Sequence, residues 1–108
     1  MSTTKTIIIA KDFSEEPIGR YPEDSPDCGQ NFRENLLAPS LRANDVVIVN
    51  LDGTEGYGSS FLEEAFGGLV RKCGFSKSEL TRKLQLISEE DTSLITEIQE
   101  YIDTASSK

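Results

Sequence analysis

Apolar positions along this chain come in two kinds of run. The first kind is short and continuous. Thr6 to Lys11 and Asp45 to Asn50, the latter centred on Val46-Val47-Ile48-Val49, are rich in β-branched residues and show little alternation. Such runs predict strands buried on both faces. Leu84 to Ser88 predicts a third strand. The second kind repeats at helical spacing. Phe32, Leu36 and Leu37 predict a helix over 27–37 that stops at Pro39, because the residue before a proline avoids the helical region. Phe61, Leu62, Ala65, Phe66, Leu69, Val70 and Cys73 mark the apolar face of a second helix, with Gly74 as its left-handed end. Glu63, Glu64, Arg71 and Lys72 fall on the opposite side, acids first and bases last, as the helix dipole favours. That arrangement predicts Glu63 and Glu64 as a solvated face. Ser76-Lys77-Ser78-Glu79 is a capping box that opens a short helical turn. Leu94, Ile95, Ile98, Tyr101, Ile102 and Ala105 form the stripe of a last helix capped by Asp91, before a tail over 104–108 expected to fray.

The remaining segment, 12–27, has no apolar period. It holds Pro17, Pro22, Pro26, Gly19 and six acids, and it reads as a loop. Strands alternating with helices indicate βαβ units. The expected architecture is one α/β domain over 1–108, with a core of about 6–103. A mostly parallel central sheet is packed against amphipathic helices.

Composition narrows the function. Among 108 residues, 19 acids and 11 bases give a net charge of −8, with no histidine. This balance argues against nucleic acid, which needs clustered Lys and Arg, and against an anionic membrane. Without histidine there is no Ser-His-Asp or Cys-His arrangement and no histidine-held metal. Cys28 and Cys73 form no C-x-x-C pair and are expected to be free thiols in a reducing cytoplasm. The longest apolar runs, Ile7–Ala10 and Val46–Val49, are too short for a signal segment or a membrane span.

The chemistry concentrates in residues 47–69, where a strand enters a loop carrying Gly53, Gly56 and Gly58, then Ser59-Ser60, then an amphipathic helix. Gly53 and Gly58 have P-loop spacing, but Ser59 stands where the lysine belongs, and no Lys or Arg lies between Leu51 and Val70. Ser60-x-x-Glu63 reads as a capping box. A serine at an exposed helix start, after a glycine loop, is also within reach of a kinase, and a phosphate there would sit close to Glu55, Glu63 and Glu64. Arg20 stands alone between Lys11 and Arg33 in the acidic loop, as a salt-bridge partner, an anchor for the loop or a contact for a phosphate. Tyr57 is either partner-contact area or a plug over the sheet.

The same residues resemble a family. Lys11-Asp12-Phe13-Ser14, Gly19-Arg20, Phe32-Arg33 through Pro39, and Ser59-Ser60-Phe61-Leu62 with Glu64-Ala65-Phe66-Gly67 resemble the motifs of small bacterial STAS-like domains. Those domains are related to the STAS fold of anti-sigma-factor antagonists. The resemblance covers roughly residues 6–88. It implies a non-catalytic, cytoplasmic regulatory module that binds a histidine-kinase-like ATPase or serine kinase, needs no cofactor and holds no metal. In the broader STAS family the second serine of Asp-Ser-Ser-Gly is phosphorylated, and by position that serine is Ser60. Here Gly58 replaces the Asp and Phe61 the Gly. The expected partner surface is Gly56, Tyr57, Gly58, Ser59, Ser60, Glu63, Glu64 and Arg20. Two other readings stand beside it. One is a small-ligand or magnesium-dependent enzyme using Asp12, Glu15, Glu16 and Asp52, since oxygen ligands suit that ion. The other is a constitutive interaction subunit with no switch.

Overall fold

The structure is a computed structural model that describes residues 3–107. Strand β1 (Thr4–Ile8) leads into a single helical turn α1 (Ile9–Asp12). After the proline loop come helix α2 (29–43) and strand β2 (Val46–Asn50). Helix α3 (59–71), helix α4 (Lys77–Lys83), strand β3 (Leu84–Ile87) and helix α5 (Ser93–Ser106) complete the chain. The three strands form one parallel sheet in the order β1-β2-β3, with Ile7 beside Val49 and Val49 beside Leu86.

Strand order equal to chain order has a consequence for coverage. Crossovers between parallel strands are right-handed, so successive crossovers that advance in one direction lie on the same face. Ile7, Val47 and Val49 on that face are fully buried under the helices, in one core with Phe32, Leu37, Leu41, Phe61, Leu62, Phe66, Leu69 and Ile98. The opposite face carries Thr4, Thr6 and Ile8, then Val46, Ile48 and Asn50, then Gln85 and Ile87. These residues are exposed or half-buried and lie outside the core. The expectation of strands buried on both faces therefore fails: β2 alternates between buried and half-buried residues along its length.

Other boundaries move for local reasons. The first strand ends at Ile8 rather than Lys11, because the Asp12 carboxylate accepts the Ile8 N–H at 2.8 Å and closes the turn α1. Pro39 does not stop α2. The preceding turn, Arg33–Leu37, widens to π geometry, with the Ala38 N–H donating to Arg33 O. The wider turn carries the helix past a residue with no N–H, and Pro39 sits in the first turn of the α-helical segment Ala38–Ala43. Ser60 does not cap α3: Gly58 holds the N-cap position, and no side chain supplies a cap. The Ser76–Glu79 capping box forms in both halves, and Gly74 adopts φ +79° after α3. Asp91 supports α5 by accepting the Ser93 N–H at 3.1 Å, although the N-cap is Thr92. The tail expected to fray is helical through Ser106, with Ala105 buried; Lys108 lies outside the described residues.

Candidate functional site

The site is built where α2 crosses α3. Gly29 opens α2 against the first turn of α3, where a Cβ would stand 2.6 Å from the Phe61 carbonyl oxygen and 3.0 Å from the Glu64 Cβ. Only a residue without a side chain allows this approach. Four rings then interlock: Phe32 lies 5.3 Å from Phe13, 5.8 Å from Phe61 and 6.3 Å from Phe66, centroid to centroid. Such spacings suit offset and edge-on aromatic packing.

Beside the rings lies an ionic cluster. Arg33 and Glu64 are both buried, at 0% and 1% exposure. The Arg33 Nη1 donates to the Glu64 carbonyl at 2.6 Å and to its carboxylate at 2.7 Å. The guanidinium passes over Gly68, where a Cβ would lie 2.2 Å from Nη1. The Glu64 carbonyl that accepts from Arg33 lies within the π turn of α3, Glu63–Gly67. The Arg33 Nε and Nη2 are buried without a hydrogen bond, and Nη2 stands 3.5 Å from the Glu34 carboxylate.

Arg20 and Arg71 both hydrogen-bond the Glu63 carboxylate, while Arg20 and Lys72 reach Glu64 at 3.2 and 3.1 Å. Burial pushes the Glu63 carboxyl up, but the hydrogen bonds from Arg71 and Arg20 outweigh it and hold it below its ordinary range. Glu64 behaves alike: burial raises it, and Arg33, Lys72 and Arg20 bring it below the usual value. Glu63, in turn, raises the Arg20 guanidinium against the opposing effect of burial. Four cations thus surround two carboxylates, with a third carboxylate, Glu34, beside Arg33.

This overturns the solvated-face reading of Glu63 and Glu64. Glu64 is buried and Glu63 is three-quarters covered, its side chain 24% exposed. The apolar stripe gave Glu64 no reason to be inside; its reason lies on another element, Arg33. A charged residue flanked by Phe32, Leu36 and Leu37 was the one signal in the sequence for that partner. Arg20 is the loop anchor: its guanidinium bridges Glu63 and Glu64, and its carbonyl accepts the Gln30 N–H at 3.1 Å.

Ser59 and Ser60 are exposed and occupy the first two positions of α3 after Gly58. Gly56 and Gly58 beside them are exposed, with open space where a Cβ would stand. Tyr57 is the plug: its hydroxyl donates to Leu51 O at 2.7 Å, and its ring packs 5.9 Å from Phe61. Desolvation pushes its pKa up to about 12.

The acidic residues of the enzyme reading are not brought together. Asp12 closes α1, and Asp52 accepts the N–H groups of Glu89 and Glu90 at 3.0 Å. Among the described residues no three His, Cys, Asp or Glu side chains form a group that could hold a metal ion. Both cysteines are free thiols: Cys28 is buried with its sulfur accepting the Asn31 N–H, and Cys73 packs against the core. No helix of the described residues is long and apolar enough to cross a membrane.

Comparison with curated proteins and with solved structures finds no match. A family model does match, over residues 28–94, from the start of α2 to the start of α5. That span contains Arg33, Glu64, the serine pair and three of the four interlocked rings. Arg20 and Phe13 close the cluster from outside it. By this match the chain belongs to the family described as the STAS-like domain of unknown function (DUF4325).

Proposed function

We propose that this domain performs no chemistry of its own and regulates by binding another protein, with Ser60, and Ser59 beside it, as the residue a partner kinase phosphorylates. The partner is an ATPase or serine kinase of the histidine-kinase type. The observation that carries the reading is the exposure of both hydroxyls on the first turn of α3, where neither serves as a helix cap. Three features support it. Exposed glycines on the N-terminal side leave room for a second macromolecule. The start of a helix favours added negative charge. The carboxylates one turn on, Glu63 and Glu64, are already paired with Arg20, Arg33, Arg71 and Lys72, so a phosphate meets a neutralised neighbourhood rather than bare acids.

On this reading Gly56, Gly58, Ser59 and Ser60 form the contact surface, and the exposed part of Tyr57 borders it. Glu63, Glu64 and Arg20 act beneath, by fixing the start of α3 in place. The test is to incubate the purified protein with ATP and the histidine-kinase-type ATPase encoded beside it. One added phosphate on Ser60, absent in Ser60→Ala, is expected. An unchanged mass together with no complex on a sizing column overturns the reading.

A further inference from the structure

Of the four cations in the cluster, Arg20 alone comes from the loop over 12–27, and its main chain is held on both sides. Its N–H donates to the Asp24 carboxylate at 3.1 Å, and its carbonyl accepts the Gln30 N–H. Gly19 before it adopts φ +87°, where a Cβ would stand 2.7 Å from the Asp24 Cβ. The guanidinium reaches Glu63 and Glu64 through Nη1 alone. Its Nε and Nη2 make no hydrogen bond among the described residues, and the side chain is 32% exposed. A guanidinium grips a carboxylate or phosphate with two parallel N–H bonds, and Nε with Nη2 is a pair of donors that can do so. Neither carboxylate depends on Arg20. Glu63 keeps both terminal nitrogens of Arg71, and Glu64 keeps Arg33 and Lys72.

Helical spacing places this guanidinium relative to the serines. Positions three and four residues apart are neighbours on a helix, about 5–6 Å between Cβ atoms. Glu63 and Glu64 stand three and four residues after Ser60, so they fall on either side of the line that runs along α3 through Ser60. Arg20 touches both carboxylates and therefore meets α3 on that line. Ser59 is about a quarter turn off it. We infer that Arg20 is the receptor for a phosphate on Ser60, its free Nε and Nη2 taking the phosphate oxygens while Nη1 stays on the two glutamates, an inference that rests on the phosphorylation reading above. The helix dipole favours any anion on the first turn. Arg20 adds what the dipole lacks, a fixed pair of donors that distinguishes Ser60 from Ser59. Because the main chain around Arg20 is already anchored, little order has to be gained when the contact forms. The phosphorylated protein thus gains a second tie between the proline loop and the start of α3.

Phosphoserine placed at position 60 during synthesis, through an expanded genetic code, tests this without any kinase. Phosphorus NMR over a pH series reads the second pKa of the phosphate, ordinarily about 6. A guanidinium in contact favours the dianion, so the value should lie at least about half a unit lower in the otherwise unchanged protein than in Arg20→Gln. Arg71→Gln removes the same charge from the same Glu63, toward the far end of α3, and should leave the value where it was. Circular dichroism identifies variants that fold. A second reading needs no substitution: the Arg20 Nε–H signal in nitrogen-edited NMR should move downfield in the phosphoprotein relative to the protein with serine. Equal phosphate values with and without Arg20→Gln overturn the inference. So do equal shifts from Arg20→Gln and Arg71→Gln, which would assign the effect to the general field of the cluster, and so does an unmoved Arg20 signal. These failures leave open to its own test whether a kinase reaches Ser60. A kinase that leaves Ser60 unmodified overturns the phosphorylation reading, with the contact itself still measured.

Discussion

The α2–α3 crossing and the β3 edge are built on opposite principles. At the crossing, every element is over-determined: Gly29 and Gly68 admit close approach, four rings interlock, and Arg33 and Glu64 are held without access to water. At the edge, β3 carries half-buried leucines and exposed Gln85 and Ile87, with a groove alongside. The first region fixes a small exposed surface, the serine pair, in one position. The second begins at the end of α4, where the Leu84 N–H donates to Leu80 O.

The comparison breaks most sharply at Glu64. Glu64→Ala strands the buried Arg33 guanidinium, and breaking one partner of a buried pair costs about 3–5 kcal/mol. For a domain of this size the melting temperature should fall by more than about 12 °C. Replacing both partners by apolar residues, Arg33→Met with Glu64→Leu, should recover most of that loss, since well-packed apolar substitutes for a buried pair cost little. A double variant as unstable as Glu64→Ala would refute the stranded-charge explanation. Gly29→Ala sharpens the packing claim. Its Cβ meets a backbone carbonyl that cannot yield cheaply, and overpacking of this kind costs about 1–3 kcal/mol in denaturant unfolding.

Acid should find the same cluster. The Glu63 and Glu64 carboxyls lie below their unfolded values. The unfolded chain then binds protons first, so stability from these groups is complete above the unfolded range near pH ~4.3 and is lost as pH falls through the folded values. Glu64→Gln should flatten this acid limb in urea titrations between about pH 5 and pH 2. An unchanged limb would show that the cluster is not what acid attacks. The smallest stability effect belongs to the surface: Ser60→Asp at the second position of α3 should stabilise by about 0.3–1 kcal/mol at low salt through the helix dipole.

The same contrast explains what the sequence could reveal. The order of strands and helices, the Ser76–Glu79 capping box and the exposure of Ser59 and Ser60 depend on neighbours in sequence, and they were legible. Pro39 misled because a π turn earlier in the helix accommodates it. Ser60 read as a cap because the spacing to Glu63 fits, yet Glu63 is engaged by Arg20 and Arg71 from elsewhere. Hydrophobic runs cannot report which face of a sheet its crossovers cover; that follows from strand order, which emerges only in three dimensions. The partner of Glu64 was hidden for the same reason, since Arg33 is thirty-one positions away.

The central claim is that charge at the start of α3 controls docking. Binding of the partner ATPase to Ser60→Ala and Ser60→Asp tests it most directly. The account predicts that the aspartate variant binds at least about tenfold more weakly, a difference of about 1.4 kcal/mol, while both variants fold. Equal affinity for the two variants would contradict it.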